Sequence, residues 1–168
     1  PTDHNAPFFS REEVEHPVLG VFETLRQNGH QIIQCITELF EEYTEVATWP
    51  HHFDVGSHLI LDKGEKGEML KTIGIGMAIH DEASHEHYFY VNPWKKEGKL
   101  KKEALQTLEI GKWAMRGKWT GATLPLSQLG GSKEEQVKTT VAFFNAAIAQ
   151  AIAAIGGEAK YWSRKDRG

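Results

Sequence analysis

The chain reads as a single α+β domain in which an antiparallel sheet of about five strands packs one face against a long N-terminal helix and a C-terminal helix. Three observations predict it. Apolar residues recur at helical spacings of three, four and seven toward each end of the chain, the period drops to two in the middle, and 168 residues suffice to bury one core. Residues 1–168 therefore form one domain, with 1–16 and 158–168 loosely ordered at its ends.

The N-terminal helix is predicted over 17–43. Val18, Val21, Phe22, Leu25, Ile32, Ile33, Ile36, Leu39, Phe40 and Tyr43 make its stripe. Ser10 to Glu13 have capping-box form, but Pro17 follows soon after, so a short turn precedes a helix that starts at the proline. Gly29 interrupts the pattern without ending it, since an interior glycine costs only about 1 kcal/mol relative to alanine. Cys35 falls within the stripe and reads as a small buried hydrophobe.

Strand periodicity follows. Phe53, Val55, Leu59 and Leu61 alternate with Asp54, Gly56, His58 and Ile60, and the turn-rich DKGEKG leads into Ile73, Ile75, Met77 and Ile79, which predicts a hairpin. After the loop HDEASH, the residues His87, Phe89 and Val91 alternate with Tyr88 and Tyr90 in a third strand that stops at Asn92-Pro93. The lysine-rich KKEGKLKKEALQ reads as a solvated segment or short helix rather than a binding patch. Two GKW triplets, at 111–113 and 117–119, predict two further strands about a tight turn.

The C-terminal helix over 133–155 carries the clearest local signal. Ser132 and Glu135 form a capping box, Val137, Val141, Phe144, Ile148, Ile152 and Ile155 make a stripe, and Gly156-Gly157 end it. Its alanines keep it slim enough to approach a sheet closely.

Bulk properties narrow the function. A formal charge of −4 gives no electrostatic reason to expect nucleic acid. No apolar run approaches the length that spans a bilayer, and PTDHNAPFFS has neither a basic start nor an apolar signal core, so no membrane partner is expected. A single cysteine suits a reducing cytoplasm.

Chemistry concentrates in TWPHHFD, residues 48–54. Of nine histidines, six lie between residues 51 and 87. Residues i and i+2 of a strand share a face, so His52 with Asp54, and His85 with His87, can act together. Imidazole and carboxylate ligands from His51, His52, Asp54, His85 and His87 would suit a divalent transition metal such as zinc, iron, manganese or nickel. The spacing matches no strong metal signature: H-E-x-x-H and paired CxxC are both missing. Without a metal, Asp54 beside His52, or His80 beside Asp81 or Glu82, could form an acid/base pair, and Asp54 could equally be a structural acceptor for Tyr or Trp donors. Gly74 and Gly76 in IGIGM lack the third glycine and following helix of a dinucleotide fingerprint. They read as thin places where a ring or a ligand presses on the backbone. Tyr88, Tyr90, Trp94, Trp113 and Trp119 supply rings with polar handles for such a surface.

WPHHFD, IGIGM, HYFYVNPW and KWTGATLPLSQL, followed by the helix EEQVKTTVAFFNAAIAQAI, resemble in this order the C-terminal part of an uncharacterised, mainly bacterial family catalogued as a domain of unknown function. The resemblance spans roughly residues 49–157 and carries over to Phe53, Asp54, Gly74, Tyr88, Tyr90, Pro93, Leu124 and Pro125. This chain departs in a shorter N-terminal region and in its lysine-rich insert. The family has no assigned activity, so the resemblance implies fold boundaries and no chemistry.

Three functions are consistent with these features. One is a small-molecule-binding domain with a pocket built from His52, Asp54, His87, Tyr88, Tyr90 and Trp119. Another is a metal-assisted hydrolase or related enzyme using His51, His52, Asp54, His85 and His87. The third is a structural protein, a homodimer formed through an aromatic sheet face.

Overall fold

Two helices lie against the same face of a six-stranded antiparallel sheet in the computed structural model, which describes residues 19–49 and 54–157, with side chains from Arg26 onward. In chain order the elements are α1 (Leu19–Thr37), β1 (Ala47–Trp49), β2 (Asp54–Lys63), β3 (Met69–Ala78), β4 (Tyr88–Lys95), β5 (Lys112–Arg116), β6 (Trp119–Pro125) and α2 (Lys133–Ile155). The sheet order is β1-β2-β3-β4-β6-β5. The α+β class and the antiparallel sheet are as the periodicity predicts.

Several boundaries differ. The first helix ends at Thr37 rather than Tyr43. Thr37 Oγ1 donates to the Gln34 carbonyl at 2.8 Å, and Leu39 N and Phe40 N reach back only three residues, which tightens and closes the last turn. Beyond it Tyr43 bridges to Leu59, Thr44 N donates to His58 O and Ile60 N to Glu42 O. Pairing with the sheet edge has overridden a helical pattern that the sequence continues. A three-residue strand at 47–49, too short to leave a period, adds the sixth strand at the edge of β2.

β4 continues through Pro93 to Lys95 instead of stopping at Asn92-Pro93. Lys96 N donates to Leu70 O, so alternation directs the even-numbered N–H groups of β4 toward β3 and the missing N–H of Pro93 toward β6. Pairing with β6 has already ended at Val91 opposite Ala122, so the proline removes no ladder bond there.

Cys35 is exposed, contrary to its expected burial: Ile32, Ile33 and Ile36 take the buried side of α1 and leave it among Gln31 and Gln34 on the other. Gly29 is buried, and a Cβ there would lie 2.7 Å from Met77 Cε, so the missing side chain lets α1 settle onto β3.

α2 has the predicted limits. Ser132 caps it in a reciprocal box with Glu135, and Gly156 ends it in the left-handed conformation at φ 72°, where glycine avoids a Cβ clash. Lys101 N donates to Ala154 O at 2.8 Å and Lys95 Nζ to Ile155 O at 3.3 Å, so the end of β4 and the connection that follows it satisfy carbonyls that the helix end leaves open. The stripe is rotated from the predicted one. Val137 and Val141 are half-buried, whereas Gln136, Thr140 and Phe143 face inward. By length and composition α2 could cross a membrane, which corrects the expectation that no apolar run is long enough. Its Phe143, Phe144, Ala147, Ile148 and Ala151 instead pack in the core against the sheet.

The core joins Ile32, Ile33 and Ile36 of α1 to Leu59, Ile73, Ile75, Met77, Phe89, Val91, Ala122 and Leu124 of the sheet and to the inner side of α2. These strand residues are alternate positions, so the residues between them form the outer face, over which none of the described helices lies.

Candidate ligand-binding face

The strand register arranges the outer face in rows. Asp54 falls in line with Ala78, Tyr88 and Pro125; the next row is Gly56, Gly76, Tyr90, Thr123 and Lys112. The row after that brings His58, Gly74 and Asn92 together. Two glycines in line, on β2 and β3, make a trough. Tyr90 lies along it from β4, and its hydroxyl donates to Asp54 Oδ2 at 2.6 Å, two strands away. A Cβ at Gly76 would stand 2.5 Å from Tyr90 Oη, and one at Gly56 2.6 Å from the same atom, so both glycines are needed for the ring to lie down. At Gly74 the nearest atom would be the Asn92 carbonyl at 3.7 Å, so no ring presses there.

Tyr88 is held similarly. Its hydroxyl donates to Asp81 Oδ2 at 2.8 Å, and Asp81 Oδ1 accepts from Ala83 N at 2.7 Å and Ser84 N at 3.3 Å in the turn between β3 and β4. Glu86 anchors the same connection to the turn after β6, accepting from Ser127 Oγ at 2.6 Å and Ser127 N at 3.0 Å. Trp119 folds its ring over Gly121, where a Cβ would collide with it. Trp49 meets His58 edge-on with centroids 6.1 Å apart. Thr123 is buried beside Tyr90, and among the described residues its hydroxyl has no hydrogen-bond partner.

Burial sets the electrostatics. It is the largest cause raising both phenols above their ordinary range; the Asp81 hydrogen bond adds to it at Tyr88, as does the Asp54 charge at Tyr90, while Arg116 acts in the opposite direction at Tyr88. Burial also lowers His58 below its usual 6.5, partly offset by Asp54. His87 is lowered by burial and by the charge of His80, against Glu86.

A pH dependence follows from these signs. The histidines have folded values below 6.5, so their contribution to stability is complete above that pH and is lost as pH falls through the lowered values. The tyrosines have folded values above 10.0, so their contribution is complete below that pH and is lost as it rises. Urea midpoints should therefore form a plateau that falls on both sides, and His58→Gln should make the acid limb shallower. A midpoint unchanged on acidification would contradict the burial of the histidines.

The structure brings together Asp54, Tyr88 and Tyr90 of the predicted pocket, with Trp119 on the same face. His51, His52 and Phe53 lie outside the described residues. His87 precedes β4 in phase with Phe89 and Val91 and so falls on the helix-side phase, out of step with Tyr88 and Tyr90; its carbonyl accepts from Leu126 N. His85 is exposed in the β3–β4 connection. Among the described residues no three of His, Cys, Asp and Glu are grouped so as to hold a metal ion. Asp81 is joined to Tyr88, a pairing the sequence reading missed, as it missed His58, Gly56, Thr123 and Arg116. Period-two counting from Asp54 would have found Gly56 and His58; Asp81 and Arg116 become neighbours of Tyr88 only through the fold. A groove of about 220 Å³ lined by Phe40, Glu41, Glu42 and residues 60–63 lies elsewhere, at the far end of β2.

No family model, curated protein or solved structure matches the chain.

Proposed function

We propose that the outer face of the sheet binds a small molecule and that the domain acts by binding it without chemical conversion. The observation that carries this reading is the Tyr90–Asp54 contact at 2.6 Å across two glycines. It lays an aromatic ring flat on the backbone and fixes a half-buried carboxylate at the end of it, beside Tyr88 and His58. Aliphatic side chains dominate the opposite face, so polar and aromatic groups are concentrated where no described helix covers them. The buried Thr123 hydroxyl adds a group that a ligand atom or an ordered water would satisfy. The described members of the metal set do not converge, so the metal-assisted reading has less support.

Ligand-observed NMR with neutral sugars and planar heterocycles tests the proposal. At least one of these classes should receive saturation from the protein, and Trp119→Ala and Asp54→Asn should each abolish the transfer while leaving a folded circular-dichroism spectrum. Transfer that survives both substitutions would place binding elsewhere. Light scattering separates the homodimer reading, because a stable dimer through this face would close it to either probe.

A further inference from the structure

We propose that the free edge of β5 is a docking site for an extended acidic segment of a partner protein, which adds to the sheet as a further strand. Among the described residues β5 ends the sheet and pairs only with β6. Arg116 and Trp119 pair across the two-residue turn at Gly117-Lys118, and the pair that flanks such a turn is hydrogen-bonded. Alternation then directs the backbone of Lys112, Ala114 and Arg116 to β6 and that of Trp113 and Met115 outward. These outward amides and carbonyls are a template for strand addition. Met115, a residue 49% exposed, offers apolar surface on the helix-side phase of the same edge.

Charge selects the occupant. Lys112, Arg116 and Lys118 are exposed, and none forms an ion pair among the described residues. A second copy of this chain fits poorly. In the antiparallel pairing centred on Ala114, each Lys112 would stand opposite the other copy's Arg116, and sliding by one pair toward the turn sets Lys112 opposite Lys118. Every symmetric register gathers the cations of both copies at one seam. Opposite residues of an antiparallel pair share a face, so the complementary segment has acidic residues four positions apart, facing Lys112 and Arg116. Apolar residues one position inside each of them would cover Trp113 and Met115. The segment thus follows the order acidic, apolar, any, apolar, acidic.

The test uses the full chain and two fluorescein-labelled, end-capped peptides, one carrying Glu-Val-Thr-Val-Glu and the other Lys-Val-Thr-Val-Lys. Fluorescence polarisation should rise saturably with the glutamate peptide, weaken with added salt, and stay flat with the lysine peptide. Lys112→Glu combined with Arg116→Glu, two exposed changes at the positions that the acidic residues face, should weaken glutamate-peptide binding about tenfold and admit the lysine peptide. Met115→Pro removes one outward N–H while sparing the β6 ladder, and should abolish binding with the circular-dichroism spectrum retained. Absence of glutamate-peptide binding, or binding indifferent to the double charge reversal, would overturn the proposal and leave the lysines as a guard against edge aggregation.

Discussion

Phe144→Ala is expected to lower the unfolding free energy by about 3–5 kcal/mol, the usual range for deleting a fully enclosed aromatic ring. Phe144 has 0% exposure and sits where α2 meets β4. Its ring stands edge-on to Phe89 at 5.7 Å and to Phe143 at 5.3 Å, so the substitution removes two aromatic contacts and leaves a cavity between helix and sheet. Against a typical domain stability of about 5–15 kcal/mol this is a large fraction. Lys138→Ala, on the exposed side of the same helix, should change stability by less than about 0.5 kcal/mol. Urea unfolding of both variants decides the point, and coincident midpoints would contradict the packing of α2.

Gly76→Ala should be the most damaging of the small outer-face substitutions, at about 3 kcal/mol. The added Cβ would fall 2.5 Å from Tyr90 Oη and 2.6 Å from the Val55 carbonyl oxygen. The ring can lift away; the carbonyl belongs to the neighbouring strand and cannot. Overpacking of this kind costs about 1–3 kcal/mol, and a lifted ring strands the Tyr90 hydroxyl and the Asp54 carboxylate for roughly another 1–3 kcal/mol. Gly74→Ala, on the same face of the same strand, meets nothing closer than 3.7 Å and should stay within about 0.5 kcal/mol of the parent. If both alanine variants unfold at the parent's urea concentration, Tyr90 does not lie in the trough described.

Residues whose neighbours are local in sequence were legible without coordinates. The capping box at Ser132 and Glu135 and the stop at Gly156 set both ends of α2, because each is a contact within one turn. The hairpin of β2 and β3 follows from two alternating runs about a turn. Reading failed where a tertiary contact outweighed local pattern: Tyr43 continues a helical stripe yet bridges to Leu59, and Cys35 sits in an apolar run yet faces outward. Gln136 and Thr140 are buried in α2, where hydropathy would expose them, because Gln136 donates to Leu129 O and Thr140 to Gln136 O.

The candidate face divides along the same line. Tyr88, Tyr90 and Asp54 stood out by type and alternation, and the glycines of IGIGM suggested thin backbone. That Gly76 carries a ring and Gly74 does not depends on the alignment of Gly56 with Gly76, a register between strands about twenty residues apart. Asp81 pairs with Tyr88 because a turn fixes its carboxylate over the sheet end, which neither residue's neighbours in sequence announce.

The irregularity between Ile60 and Lys63 acts on β2 as a frameshift followed at once by its suppressor. As far as Ile60, which stands opposite Thr72, even numbers belong to the outer face and odd numbers to the core. Beyond it Asp62 stands opposite Lys71, which shares the phase of Ile73 and Ile75, and forms an ion pair with it at 3.6 Å. At Lys63, opposite Met69, the original register returns, so one extra residue on each strand cancels and parity regains its meaning at the end of β2. The excursion is confined to the rim: it turns Asp62 toward Lys71 for a charged contact and leaves the alternation of the rest of the strand, and with it the outer face, in phase.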